Sequence, residues 1–146
     1  MTHGLTITES ATGPRPVKEA SLAVIGLVAT ADGSTTEIAD ALDAQFPLDT
    51  PVLVENIRTA ISNAGDEGTL KSALEAIADQ TTPNIVVVRV ATDVDPEVEE
   101  ANVIGGVTDD VYTGMQALLS AEAVVGIRPR ILGAPGLNTA DITAAL

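Results

Sequence analysis

The sequence predicts an α/β fold, in which helices pack on a sheet of short, buried strands. Two apolar runs, Leu22–Val28 and Ile85–Val90, lack the alternation of a half-exposed strand and are typical of strands covered on both faces. Apolar residues at helical spacing occupy much of the chain between them. Apolar residues make up 45% of the chain but aromatic residues only 1%. Val, Ile, Leu and Ala must therefore form the core, which suits close-packed helix-on-sheet layers.

Residues 1–20 are predicted to form an extended N-terminal arm. The first half of the arm alternates between apolar and polar side chains, as a short strand does: Leu5, Thr6, Ile7 and Thr8. The second half contains residues that interrupt regular structure: Gly13, Pro14 and Pro16. The short strand has no obvious partner in its own chain, so two interpretations stay open. It is either a frayed terminus or a strand that pairs with the sheet edge of another subunit.

Residues 21–92 are predicted to form a small α/β domain. Its first strand is Leu22–Val28, and the polar stretch that follows contains a short helix. Ser34 and Glu37 have the spacing of a capping box, which predicts where that helix begins. The second strand is Pro51–Val54.

Two further helices are predicted between the second strand and Ile85–Val90. The first presents apolar residues on one face and ends at Gly65, and the second begins after Thr69 as its N-cap. The order strand–helix–helix–strand predicts a crossover connection. Arg89, within an otherwise apolar strand, is expected to reach a sheet edge or a carboxylate.

Residues 93–106 are predicted to be an acidic linker between two units. Their carboxylates surround Pro96, and runs of like charge are usually solvated. The run DVDPEVEE also resembles a calcium-binding loop, because hard cations prefer carboxylate oxygens. Pro96 interrupts the required spacing, however, and the glycine of the sharp turn is absent. A solvated linker is the preferred interpretation.

Residues 107–146 are predicted to be the beginning of a second, incomplete α/β domain. They contain a helix that ends near Gly126, a strand at Arg130–Gly133 and a final helix capped by Asn138. The apolar pattern of that last helix stops at Leu146 without a C-terminal cap. We therefore expect the chain to be the front piece of a longer protein.

The composition argues against several classes of function. The formal net charge is −14 with only seven Lys and Arg, whereas nucleic acids and anionic membrane surfaces attract cationic proteins. The chain has no cysteine for a disulfide, a thiolate nucleophile or a zinc site. No apolar run approaches the roughly 20 residues of a membrane span, so membrane insertion is not expected.

No catalytic, cofactor or metal site is predicted, and the chain is not expected to be an enzyme. His3 is the only histidine, and no serine occurs in a G-x-S-x-G context. The strand–turn–helix at Ile131–Asp141 resembles half a nucleotide-binding unit. However, Pro135 lacks an amide proton, and Asp141 repels phosphate. A small α/β module that binds a ligand or a nucleotide is therefore kept only as the alternative function.

Eight segments, taken in order, give the chain a resemblance to a known family. They are His3-Gly4, LAVIGLV at Leu22, FPLDTPVLV at Phe46, AISNAGDEGTL at Ala60, ALEAIADQ at Ala73, VVVRV at Val86, YTGMQALLSAE at Tyr112 and PRILGAPGL at Pro129. In this order and spacing they resemble the N-terminal portion of the tail sheath proteins of contractile-tailed phages and R-type pyocins. The resemblance covers nearly the whole chain.

The resemblance implies a structural, self-assembling subunit. Sheath subunits polymerise around an inner tail tube and contract, which drives the tube through the envelope of a target cell. The implied partners are other sheath subunits and the inner tail tube protein. The implied location is the virion tail, after assembly in the host bacterial cytoplasm. Neighbouring subunits are linked by arm strands, so the resemblance makes Leu5, Thr6, Ile7 and Thr8 the donated strand and Gly13, Pro14 and Pro16 its hinge.

Overall fold

The longest described strand, β1 (Val24–Asp32), lies in the middle of a five-stranded sheet. A computed structural model of the chain describes residues 24–146, so the predicted arm strand and its hinge lie outside the described residues. The other elements are α1 (Thr36–Gln45), β2 (Pro51–Val54), α2 (Ile57–Ser62), β3 (Glu67–Gly68), α3 (Leu70–Ala78), β4 (Asn84–Val90), α4 (Pro96–Ile104), β5 (Val107–Thr108), β6 (Val111–Tyr112), a 3-10 helix (Gly114–Ser120), α5 (Ala121–Val125), β7 (Ile131–Gly133) and α6 (Ala140–Ala145).

Strand β1 has neighbours on both sides. On one side β4 runs parallel to it, and β2 runs antiparallel along the outer side of β4. On the other side β7 pairs in parallel with Ile25–Leu27, and β3 pairs antiparallel with Ala31 and Asp32. Strands β7 and β3 therefore follow one another along the same edge. The hairpin β5–β6 forms a separate two-stranded sheet.

Each face of the five-stranded sheet has its own buried core, because successive side chains of a strand point to opposite faces. One core joins the sheet to α1, α2 and α3 and includes Phe46 and Leu74. The other joins it to α4, the 3-10 helix, α5 and α6 and includes Met115 and Ile142. The chain thus has helices on both faces of a sheet, which confirms the predicted α/β fold.

The pairing of β2 with β4 differs from the predicted crossover. The two strands are antiparallel neighbours, with Val54 opposite Ile85. The chain leaves that end of the sheet through α2 and reaches the opposite end at β3, beside Ala31 and Asp32. Helix α3 then returns it to the start of β4. Two helices in succession bring the chain back to the end from which it left, so β4 runs opposite to β2.

Two predicted N-caps are displaced by one residue. The hydroxyl of Thr35, not that of Ser34, accepts the Ile38 amide at the start of α1. Ser34 is engaged elsewhere, because its amide and its hydroxyl both donate to the carboxylate of Asp66. These donors hold the pKa of Asp66 below its usual value of 3.8. At α6 the cap is Thr139 and not Asn138, and its hydroxyl accepts the Ile142 amide.

Thr69 precedes α3 as predicted, but its hydroxyl does not cap that helix. It accepts the amide of Thr30 at 3.2 Å, and the Thr69 amide donates to the Thr30 carbonyl at 2.8 Å. Thr30 is buried in β1, between the segment that pairs with β7 and the segment that pairs with β3. Thr69 therefore provides hydrogen-bond partners for the amide and the carbonyl of Thr30, between the part of β1 that pairs with β7 and the part that pairs with β3.

The segment predicted to be an acidic linker, 93–106, contains helix α4. The side chain of Asp95 accepts the Glu97 amide, and Pro96 occupies the first turn. Both features favour a helix start, as do acidic side chains near the positive end of the helix. Residues 107–146 pack on the sheet formed by earlier residues, through β7 and the second core. The division of the chain at 93–106 into two domains stays a prediction.

Candidate assembly surface

Strand β7 forms part of one edge of the sheet, and its outer side pairs with no strand among residues 24–146. Gly26 of β1 leaves space on this face of the sheet for side chains of β7 and of the residues before it. A Cβ on Gly26 would lie 2.9 Å from both the Leu132 and Pro129 side chains. Ile131 and Leu132 stay about half exposed on this edge. The result is a short, apolar edge strand, the kind of element to which another chain can add a strand or a surface.

A groove with both polar and apolar lining residues lies beside β7 and has a volume of about 390 Å³. We call it the β7 groove. It is lined by Met115, Gln116, Leu118, Leu119, Glu122, Arg128, Pro129, Leu132, Ala145 and Leu146. Leu119 is 69% exposed, Leu132 46% and Leu146 43%. Leu119 and Leu132 thus expose large apolar side chains in one concave place, which is typical of a surface that binds a partner.

The groove carries charges of both signs, since Glu122 and Arg128 both line it. Arg128 lines it, and Arg130 lies two residues further along, directly before β7. Both side chains are exposed, and neither has a carboxylate within ion-pair distance among residues 24–146. In a chain with 21 Asp and Glu against seven Lys and Arg, two arginines so close together are a local departure from the acidic composition.

A second exposed feature lies at the beginning of α4, and we call residues 93–98 the acidic segment. The Asp93 side chain accepts the Asp95 amide, and Asp95 in turn caps α4, so this turn is held by local hydrogen bonds. Val94 is fully exposed and Val98 is also exposed. The segment therefore presents two apolar side chains among several carboxylates.

An ion pair with one buried and one exposed partner joins the sheet to α1 on the face opposite the β7 groove. Arg89 of β4 is only 5% exposed, and its guanidinium donates to the carboxylate of Asp43, whose side chain is 66% exposed. The Nε atom of Arg89 is buried without a hydrogen-bond partner among the described residues. The predicted carboxylate partner of Arg89 is thereby confirmed, and the pair fixes α1 to the sheet.

Within residues 24–146, no group of three or more His, Asp and Glu side chains is arranged to hold a metal ion. In the same part of the chain, no helix is both long and apolar enough to cross a membrane.

Comparison with known proteins agrees with the resemblance of the sequence. Residues 23–90 match the family described as Tail sheath protein Gp18 domain III N-terminal region. The tail sheath protein of Escherichia phage P2 is 43% identical over 151 aligned residues, which cover 99% of this chain. This chain belongs to the tail sheath protein family. The major tail sheath protein of Serratia phage KSP20 is also similar, with 42% identity over 148 residues and 99% of this chain.

The sheath chain spans about a third of the length of these relatives, 36% in each case. The family match ends at residue 90, at the end of β4, whereas the two alignments continue over nearly the whole chain. They therefore include the β7 groove and the acidic segment. The relatives are named as tail proteins, which is consistent with the prediction that the sheath chain is not an enzyme.

The sites predicted from the sequence and the surfaces seen in the structure lie in different parts of the sheath chain. The predicted arm strand Leu5–Thr8 is outside the described residues and stays a prediction. The β7 groove was not predicted. One available signal was Leu119, which directly follows the buried Leu118 and so cannot share its side of the helix. Exposure of Leu132 had no comparable signal, since this residue fits the apolar pattern of a core.

Proposed function

We propose that this chain is part of a structural subunit of a contractile tail sheath, which polymerises around an inner tail tube. On contraction the sheath drives the tube through the envelope of a target cell. The observation that carries the proposal is the 43% identity to a tail sheath protein over 99% of the chain. It favours a sheath subunit over the alternative of a ligand- or nucleotide-binding module. The partners are other sheath subunits and the inner tail tube protein, with no nucleic acid and no membrane insertion.

The arm strand is the proposed link between subunits. Leu5–Thr8 adds to the sheet edge of a neighbouring copy, and the hinge at Gly13, Pro14 and Pro16 lets the arm change direction. Strand addition supplies several main-chain hydrogen bonds, each with a net contribution of about 1 kcal/mol. Such bonds do not depend on side-chain identity along the neighbour. The link can therefore persist while the subunits rotate against one another during contraction.

The strongly acidic composition supports this role in a different way. A net charge of −14 on this part of the subunit adds to the repulsion between unassembled copies in the host bacterial cytoplasm, where assembly is proposed to take place. Contacts between assembled subunits must then be specific enough to overcome that repulsion. In the finished particle the chain lies in the virion tail.

A chimeric sheath tests the proposal. The segment of the phage P2 tail sheath protein that aligns with this chain is replaced by the present sequence, and the purified product is imaged by electron microscopy. We expect tubes from the chimera, and folded but unassembled protein once residues 1–16 are deleted. Circular dichroism of the deletion variant controls for folding. Normal tubes from the deletion variant would refute the arm, and a folded chimera that never forms tubes would refute the sheath role.

A further inference from the structure

We infer that the β7 groove of one copy receives the acidic segment, residues 93–98, of a second copy. The inference rests on the proposed function, because it names a contact between sheath subunits. It concerns surfaces within residues 24–146 and does not involve the arm strand. Its basis is the fit of two exposed surfaces that the sheath chain leaves without a partner among its own described residues.

The first part of the fit is apolar. Val94 and Val98 are exposed on the acidic segment, and Leu119 and Leu132 are exposed in the groove. The segment projects from the fold on a turn fixed by Asp93 and Asp95, so little order is lost when it docks. Docking of the segment in the groove removes the exposed apolar side chains of both from water.

The second part of the fit is electrostatic. Arg128 lines the groove beside Glu122, and Arg130 directly precedes β7. Asp93, Asp95 and Glu97 flank the valines of the acidic segment. Two copies with a net charge of −14 repel one another in most orientations. Bringing the acidic segment to the arginines is one of the few orientations in which opposite charges meet. The repulsion therefore selects this docking against the alternatives.

The third part is the placement of the two surfaces on one chain. Strands β1, β4 and β7 are parallel, and the arginines directly precede β7 whereas the acidic segment follows β4. The two surfaces thus lie toward opposite ends of the strands. A contact between them joins two different patches, so each copy keeps one free groove and one free segment. Contacts of this kind build rings or open helical assemblies, which is the geometry a sheath requires.

Disulfide trapping tests the contact, and the absence of native cysteine makes the trapping specific. Leu119→Cys places a thiol in the groove and Val94→Cys places one on the acidic segment. A tag on one copy identifies the mixed dimer on a non-reducing gel. The control pair keeps Val94→Cys and replaces Leu119→Cys by Val111→Cys, a position of similar exposure on β6. We expect the disulfide between the groove and the segment to form at least about tenfold faster than in the control pair, because docking raises the effective concentration of the two thiols. Equal rates for the two pairs would overturn the docking.

A charge swap gives an independent test on the same trapped pair. Arg128→Glu in the groove copy should slow the mixed disulfide, and so should a rise in NaCl concentration. Adding Glu97→Arg to the segment copy should restore the rate, since opposite charges then meet again. Glu97 is chosen because its side chain makes no hydrogen bond among residues 24–146, unlike Asp93 and Asp95. A rate unchanged by Arg128→Glu would overturn the electrostatic part of the contact.

The docking and the proposed function fail in distinguishable ways. Chimeric tubes together with equal trapping rates would reject the docking and leave the sheath role standing. Preferential trapping in a chimera that never forms tubes would retain the docking between copies and reject the sheath role.

Discussion

At the scale of single residues, the most unusual group in the described part of the chain is the buried cation of Arg89. Removing a guanidinium from water is costly unless a partner compensates its charge. Asp43 provides that compensation from the exposed side of α1, so the two partners are unequal. Without Arg89, water can solvate the carboxylate of Asp43. Without Asp43, the charge of Arg89 stays buried without compensation, and the Nε atom of the same side chain has no hydrogen-bond partner among the described residues.

The difference in burial between Arg89 and Asp43 predicts which of two variants loses more stability. Asp43→Ala should lower the free energy of unfolding by about 2 kcal/mol, less than for a fully buried pair because water reaches Asp43. Arg89→Met should cost less, under about 1 kcal/mol, because an apolar side chain of similar length replaces the buried charge. Urea unfolding measures both. Asp40→Ala, an exposed acidic position on the same helix, is the control and should be near neutral. A larger loss for Arg89→Met than for Asp43→Ala would contradict this account.

At the scale of elements, the sequence predicted most strands and helices but not how they pair. Pro51–Val54 and the strand around Ile85–Val90 are confirmed, because apolar β-branched runs bounded by turn residues are a local signal. The antiparallel pairing of β2 with β4 depends on the path of the chain through α2 and α3, which the local sequence does not specify. Helix α4 was missed because the carboxylates that start it were interpreted as a solvated run. The groove was not predicted because the spacing of apolar residues does not distinguish those buried within the fold from those left exposed.

The contact of β7 with β1 is an element-scale feature that a single methyl group should disturb. Gly26→Ala would place Cβ 2.9 Å from Leu132 and Pro129, and 3.2 Å from Leu118. The ends of the leucine side chains can rotate away but the Pro129 ring cannot, so repacking should lower the free energy of unfolding by about 1–3 kcal/mol. Gly133→Ala is the matched control within β7, since a Cβ there meets no atom within 4 Å. Equal stability of the two variants in denaturant titrations would show that β7 does not pack on β1 this closely.

At the scale of the whole molecule, stability and assembly should respond to salt in opposite directions. A net charge of −14 destabilises the folded chain through self-repulsion, and screening by salt weakens that repulsion. The inferred contact between copies is instead attractive, so the same screening weakens it.

Raising NaCl from about 10 mM to about 150 mM shortens the Debye length from about 30 Å to about 8 Å. The melting temperature of the chain should therefore rise over this range, while disulfide trapping between the groove and the acidic segment slows. Thermal unfolding at low protein concentration measures the first effect apart from the second. Near pH 4, where carboxylates begin to take up protons, the salt-induced rise should shrink because the repulsion itself is smaller. A melting temperature that falls with added salt at neutral pH would mean that attractive ion pairs within the fold outweigh its self-repulsion. Among residues 24–146 the structure has one such pair, Arg89 with Asp43, so we expect repulsion to dominate.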